Sequence, residues 1–176
     1  MRAWLRRLAV FALGGALGFV LLSWQLPSLI MSSLMSRVAA MGGVNQPVRP
    51  PLPDEKSRSV VLPSPDLAYV ICAYDLSNGP LTVTFAPPAL PYWSVAAYAG
   101  NTDNFLVVND RAMPGGGAFV LGLADGHTPD TIDGKRFVAA PGARGVVLFR
   151  GLIANRDPAL LKQVQDSVAC QPTARP

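Results

Sequence analysis

Arg2, Arg6 and Arg7 precede a run from Leu8 to Met35 that carries no charged side chain. Nothing else constrains so tightly what this chain folds into. At about 1.5 Å of rise per residue, a helix over Leu8 to Ile30 is roughly 34 Å long, enough to cross a hydrocarbon core with some tilt. Leu, Val, Phe, Ala and Gly dominate the run, and Trp4 and Trp24 stand where aromatic belts form at the two interfaces. The reading is one N-terminal transmembrane α-helix in the lipid bilayer.

Charge sets its orientation. Three arginines lead the run and only Arg37 and Arg49 follow it closely, so the positive-inside bias leaves the N-terminus cytoplasmic. The rest then lies across the membrane, which in a bacterium is the periplasm, as a single-pass inner-membrane protein. A cleaved signal peptide is the competing reading. The run is long, however, and its small-residue cleavage candidate, Val38-Ala39-Ala40, lies far from the centre, which favours an uncleaved signal anchor. Gly14 and Gly18 have the spacing of a close helix–helix contact and offer a seam for a homodimer.

About 120 residues remain beyond the anchor, enough for one small domain with a real core. Without the three leading arginines, 12 basic residues face 11 acidic ones, so that part is nearly neutral. No basic stripe with interleaved aromatics appears, which excludes nucleic acid as the expected partner. Pro47, Pro50, Pro51, Pro53, Pro63 and Pro65 mark an extended, stiff spacer, with Asp54 to Arg58 as a charged island. The division is therefore residues 1–35 for the n-region and membrane helix, 36–63 for a Pro-rich linker, and 64–176 for the folded domain.

Short strand signals follow one another in that domain. Leu67 to Tyr74, Leu81 to Phe85, Tyr92 to Tyr98, Phe105 to Val108, Ala118 to Leu123, Arg136 to Ala139 and Val146 to Arg150 are separated by Gly, Asn, Asp and Pro clusters. Leu81-Thr82-Val83-Thr84-Phe85 alternates with period two, the clearest strand of the set. About seven strands at this spacing predict a mainly β fold, a small antiparallel sandwich or barrel. One C-terminal α-helix closes it, with Asp157 as N-cap, Pro158 at the first position and an apolar face of Leu160, Leu161, Val164 and Val168.

Three motifs occur in order: Tyr74-Asp75-Leu76-Ser77-Asn78-Gly79-Pro80, Pro91-Tyr92-Trp93-Ser94-Val95 and Asn101-Thr102-Asp103-Asn104-Phe105. With Leu148-Phe149-Arg150, Asp157 and the amphipathic helix after them, they make residues 60 to 172 resemble the bacterial DUF1254 family, a domain of unknown function. That family offers no reaction to transfer. Its domains often occur with a second uncharacterised domain, DUF1214, for which this chain has no room, so the resemblance implies a separate DUF1214-type membrane protein as partner. Where the family carries "NPDTLYS", this chain has Ser64-Pro65-Asp66-Leu67-Ala68-Tyr69, which loses the polar character of that segment.

Chemistry is sparse. His127, the single histidine, sits in a turn with no Gly-x-Ser-x-Gly elbow, which reads as a solvated loop side chain. Asp125, Asp130 and Asp133 lack EF-hand spacing and read as turn formers, and one His with two distant Cys does not make a zinc set, so no metal or cofactor is expected. Gly115-Gly116-Gly117 precedes a strand-like run rather than Gly-Lys-Ser/Thr and a helix; it reads as a hairpin turn, not a phosphate loop. Arg150 and Asp157 are candidates for a weak ion pair at the helix entry.

Two constellations remain. Asn101, Thr102, Asp103 and Asn104 lie between apolar strands: as a bland reading they form an Asx-turn, and as a functional one they join Tyr92, Trp93 and Tyr98 in a recognition surface at one end of the sandwich. Cys72 and Cys170 either bridge, closing a loop of nearly a hundred residues with a nominal effect of about 4 to 5 kcal/mol, or remain buried thiols. The expected function is thus a non-catalytic envelope domain that binds another component. The alternative is a small-molecule or glycan-binding or -processing domain using the Asn101–Asn104 turn and its aromatics.

Overall fold

The computed structural model describes residues 2–57, 63–124 and 129–173. Helix α1 spans Arg2–Gly42, and its two parts meet different surroundings. Every described residue through Leu26 is exposed, although this part is apolar on all sides. From Pro27 onward a stripe at helical spacing turns inward: Pro27 and Ser28 are half-buried, Met31 is buried, Leu34 and Met35 are half-buried, and Val38 is 0% exposed. Pro27 lacks an N–H and interrupts the hydrogen-bond ladder where the two parts join.

Among the described residues ten strands follow, in two sheets of five. The first has the order β1 (Pro47–Val48), β2 (Leu67–Asp75), β9 (Arg144–Leu152), β4 (Trp93–Ala99) and β5 (Asn104–Asn109). The second has the order β10 (Val168–Pro172), β3 (Leu81–Phe85), β6 (Gly117–Leu123), β8 (Lys135–Ala140) and β7 (Thr131–Ile132). Side-chain alternation explains why the two pack face to face. Val70, Cys72 and Tyr74 of β2, Val95 and Ala97 of β4, and Val147 and Phe149 of β9 meet Leu81, Val83 and Phe85 of β3 and Phe119 and Leu121 of β6 in one core. Trp93 belongs to it, stacked on Phe149 at 6.2 Å and tilted against Phe85 at 5.4 Å. Helix α2 (Pro158–Asp166) adds Val164 to the same core, and Asp157 caps it by accepting a hydrogen bond from the Ala159 N–H.

The mainly β sandwich and the capped C-terminal helix are as the sequence predicts. Four details differ. Helix α2 stops at Asp166, and Val168 and Cys170 belong to β10, which pairs with β3; Val168 therefore faces the core from a strand rather than from the helix. Strands β6 and β8 run parallel within an otherwise antiparallel pattern. The Gly115–Gly117 turn is not a hairpin, because it carries the chain from β5 in one sheet to β6 in the other. Gly116 is required there: it has φ +80°, and a Cβ would run into the Phe85 carbonyl.

The fourth difference is the proline-rich segment. It is no spacer. Helix α1 runs to Gly42, beyond the expected boundary at residue 35, and packs over β1 and β2 on the outer face of the first sheet, where Val38, Val48 and Ala73 form a second small core. Asn45 then exchanges two hydrogen bonds with the Asp75 backbone, at 2.8 and 2.9 Å. Arg49 donates to the carbonyls of Gln165 and Val168, and Gln165 donates in return to Pro50. Arg156 holds the carbonyls of Pro53 and Pro65 with its two terminal nitrogens. Proline contributes no N–H, but its carbonyl remains a full acceptor, and the domain uses those carbonyls to strap the segment down.

Candidate functional site

The seven candidate binding residues do not converge. Strand β4 puts Trp93 at its first position and Ala99 at its last, so Tyr92 and the Asn101 turn lie at opposite ends of a strand roughly 20 Å long. Trp93 is 2% exposed and belongs to the core, so it lines no surface. Tyr92, 37% exposed, donates from its hydroxyl to Ser94 Oγ at 2.8 Å. Tyr98 is half-buried, and its carbonyl accepts from the Tyr74 hydroxyl at 3.2 Å; burial pushes the Tyr74 phenol up to about 12.

Residues 101 to 103 form the β4–β5 turn and bond mainly to themselves. Asn101 Nδ2 donates to Asp103 Oδ2 at 2.6 Å, and the Asp103 N–H donates to Asn101 Oδ1 at 3.2 Å. The Thr102 N–H donates to the Ala99 carbonyl and the Ala99 N–H to the Asp103 carbonyl, with Thr102 left-handed at φ 74°. This is the Asx-turn geometry, and all of Asn101 to Asn104 is exposed.

Beside the turn a cleft of about 440 Å³ opens to solvent, lined by Ala99, Gly100, Asn101 and residues 141–144. Asn101 and Arg144 supply its polar side chains. Arg144 Nε donates to Asp75 Oδ2 at 2.8 Å, and Asp75 also accepts from the Ser77 N–H at 2.9 Å. Hydrogen bonds from Ser77, and then the Arg144 guanidinium, hold the Asp75 carboxyl below the usual carboxylate range. Behind Arg144 the packing is tight: a side chain at the buried Gly145 would meet the Tyr98 carbonyl and the Tyr74 hydroxyl. The cleft thus offers one amide and one guanidinium, which can hold an oxygen-rich or anionic group. It presents no paired nucleophile and base.

The sequence reading missed Arg144 and Asn45, because their roles depend on β9 and on a strap whose position only tertiary pairing fixes. It also missed a row across the outer face of the first sheet, where register sets Tyr69 opposite Arg150 and Arg150 opposite Ser94. The Tyr69 hydroxyl accepts from the Ser64 N–H, whereas Arg150 Nε is buried with no hydrogen-bond partner among the described residues. Arg150 does not pair with Asp157; the ion pairs among the described residues are Arg144–Asp75 and Lys162–Asp166. His127 and Asp125 lie outside the described residues. Asp130 gives its carbonyl to the Phe137 N–H, and Asp133 and Gly134, both left-handed, make the tight β7–β8 turn. Among the described residues, no three His, Cys, Asp or Glu gather as metal ligands.

Residues 44–172 match the family model described as "Protein of unknown function (DUF1254)". No curated protein matches the chain. Crystal structures of other proteins share the fold. The VPA0106 protein from Vibrio parahaemolyticus has a TM-score of 0.61 at 14% identity, with 88% of this chain and 40% of that one covered. An uncharacterised protein from Burkholderia cenocepacia has a TM-score of 0.50 at 18% identity, covering 83% and 42%. The chain therefore spans about two fifths of the length of either.

Proposed function

We propose, for a chain that belongs to the DUF1254 family of proteins of unknown function, the role of an uncleaved single-pass membrane protein whose β-domain docks a second envelope protein and carries out no reaction of its own. One observation carries this reading. The helix long and apolar enough to cross a membrane is the same helix that enters the domain, with Val38 wholly buried against Val48 and Ala73. Cleavage at Val38-Ala39-Ala40 would strip Leu34, Met35 and Val38 from the first sheet. The anchor and the domain share one helix, so the domain is held close to the bilayer.

Arg2, Arg6 and Arg7 favour a cytoplasmic N-terminus and a periplasmic domain. A DUF1214-type membrane protein is the expected companion; the greater part of each solved relative lies outside its match to this chain, which leaves room for surfaces that a separate subunit supplies. A second reading rests on the cleft beside Asn101 and Arg144, which suits a small anionic or hydroxyl-rich ligand.

Affinity capture of the full chain from membranes in mild detergent, with intact-mass measurement, tests the proposal. The expected result is an uncleaved N-terminus and a stoichiometric membrane companion. A mature chain beginning near residue 41 would overturn the anchor. A clean monomer would overturn the assembly role and turn attention to ligands of the cleft.

A further inference from the structure

Cys72 and Cys170 stand far apart in sequence and together in space. Cys72 occupies an inward position of β2, between Val70 and Tyr74; Cys170 occupies an inward position of β10, two residues after Val168. Each is 1% exposed, and both belong to the same main core. The two strands belong to different sheets, and the sheets approach one another on this side: Arg49, just past β1, donates to the Val168 carbonyl at the start of β10. The thiols therefore enter the same core from the two facing sheets. Inter-sheet cysteine pairs of this kind bridge in immunoglobulin-type sandwiches.

We propose that Cys72 and Cys170 are a disulfide site, closing to an inter-sheet bridge when the domain folds in the presence of a disulfide oxidant and pinning the C-terminal edge strand β10 to β2. That the bridge forms in the cell rests on the periplasmic placement above, since that compartment is oxidising. The step is thiol–disulfide exchange. One cysteine thiolate attacks a small-molecule or protein disulfide, forming a mixed disulfide and expelling one thiolate. The second cysteine, giving up its proton, attacks the protein sulfur of that mixed disulfide and expels the other. Two protein thiols are oxidised, and the donor is reduced to two thiols that take up the two protons.

The pairing is structural rather than catalytic. Interaction of the protonated Cys72 thiol with Cys170, and burial, both push that thiol up, which starves it of thiolate, and neither sulfur is open to a donor in the closed fold. Oxidation accordingly belongs to folding or to transient opening.

The test uses the full chain in detergent, isolated with its thiols trapped by alkylation, then denatured and alkylated again with and without reductant. The expected result is two cysteines that label only after reduction, with an intact mass lower by two hydrogens. A second arm reduces the purified protein, warms it towards its melting midpoint and adds oxidised glutathione. Bridging in both arms supports the site and the placement together. Free thiols as isolated with bridging by glutathione uphold the site and overturn the periplasmic placement. Free or glutathione-capped thiols in both arms overturn the site. The double variant Cys72→Ala/Cys170→Ala should melt on the order of 10 °C below the bridged protein, and reductant should leave its midpoint unchanged; a midpoint equal to that of the bridged protein overturns the pinning of β10.

Discussion

Two polar, turn-rich segments show how differently similar composition is used. Residues 45–53 send their hydrogen bonds far along the chain: Asn45 to Asp75, Arg49 to Gln165 and Val168, and the Pro50 and Pro53 carbonyls to Gln165 and Arg156. The 100–104 turn keeps its bonds within five residues, between Asn101 and Asp103 and between Ala99, Thr102 and Asp103. The first segment is part of the fold's closure. The second is a self-contained hairpin end. A prolyl carbonyl, which looks like inert spacer in a sequence, serves as a long-range acceptor, while a string of Asn, Thr and Asp, which looks like a recognition site, satisfies its own backbone.

The strongest way to break this contrast is to unseat the helix from which the strap hangs. Val38 is wholly buried against Val48 and Ala73. Val38→Asp places an unpaired carboxylate there and should cost on the order of 3 kcal/mol or more, seen as a lower denaturation midpoint of the detergent-solubilised chain. Leu17→Asn, in the exposed apolar part of the same helix, should leave that midpoint unchanged while weakening membrane retention. Equal effects on the midpoint would mean that the two parts of α1 are not distinct.

Arg156 comes next. Its guanidinium binds the carbonyls of Pro53 and Pro65, and its backbone is left-handed at φ 54°, as is that of Asn155. Arg156→Ala removes both bonds and keeps the unfavourable φ, so a loss of about 1–2 kcal/mol is expected in chemical denaturation. Arg156→Gly removes the same bonds and relieves the backbone, so it should cost less. If glycine costs more than alanine, the strap is not held by these two bonds.

Asp75 joins the two segments, since Asn45 pairs with its backbone and its carboxylate faces Arg144 at the cleft. Its carboxyl is lowered on folding, so ionisation favours the folded state above the unfolded carboxylate value. That contribution fades as pH falls through the folded value. Asp75→Asn should therefore flatten the acid limb of the stability profile below about pH 4 and leave pH 7 stability lower by up to about 1 kcal/mol, because Arg144 is 67% exposed and screened. An unchanged acid limb in a melting series across pH would remove Asp75 from this account.

Particular residues show how much of this was legible. Leu81-Thr82-Val83-Thr84-Phe85 announced its strand because one face is core and the other polar, and Asp157-Pro158 announced its helix because both residues have local capping roles. Local rules do not reach Val168, which continues an apolar helical spacing but is claimed, with Cys170, by β3 across the sheet. They do not reach Trp93 either. An aromatic next to Tyr92 looks like surface chemistry until Phe85 and Phe149, many residues away, close over it. The candidate site suffered most, since Asn101, Arg144 and Asp75 come from three connections that only the sheet order brings to one end.

The smallest expected effect is the most diagnostic for function. Asp103→Ala removes the carboxylate that accepts from Asn101 and leaves the backbone bonds between Ala99, Thr102 and Asp103 in place. For an exposed, self-satisfied turn the loss of stability should stay within about 0.5 kcal/mol. Since Asp103 does not line the cleft while Asn101 and Arg144 do, companion capture and ligand binding should both survive Asp103→Ala. Arg144→Ala, by contrast, should weaken any anionic ligand of the cleft. If Asp103→Ala abolishes capture while the melting midpoint holds, the turn is a contact surface after all, and its internal hydrogen bonds serve to present it. If stability falls well beyond the expected margin, the turn is structural, and the contrast between it and the strap narrows to one of distance along the chain.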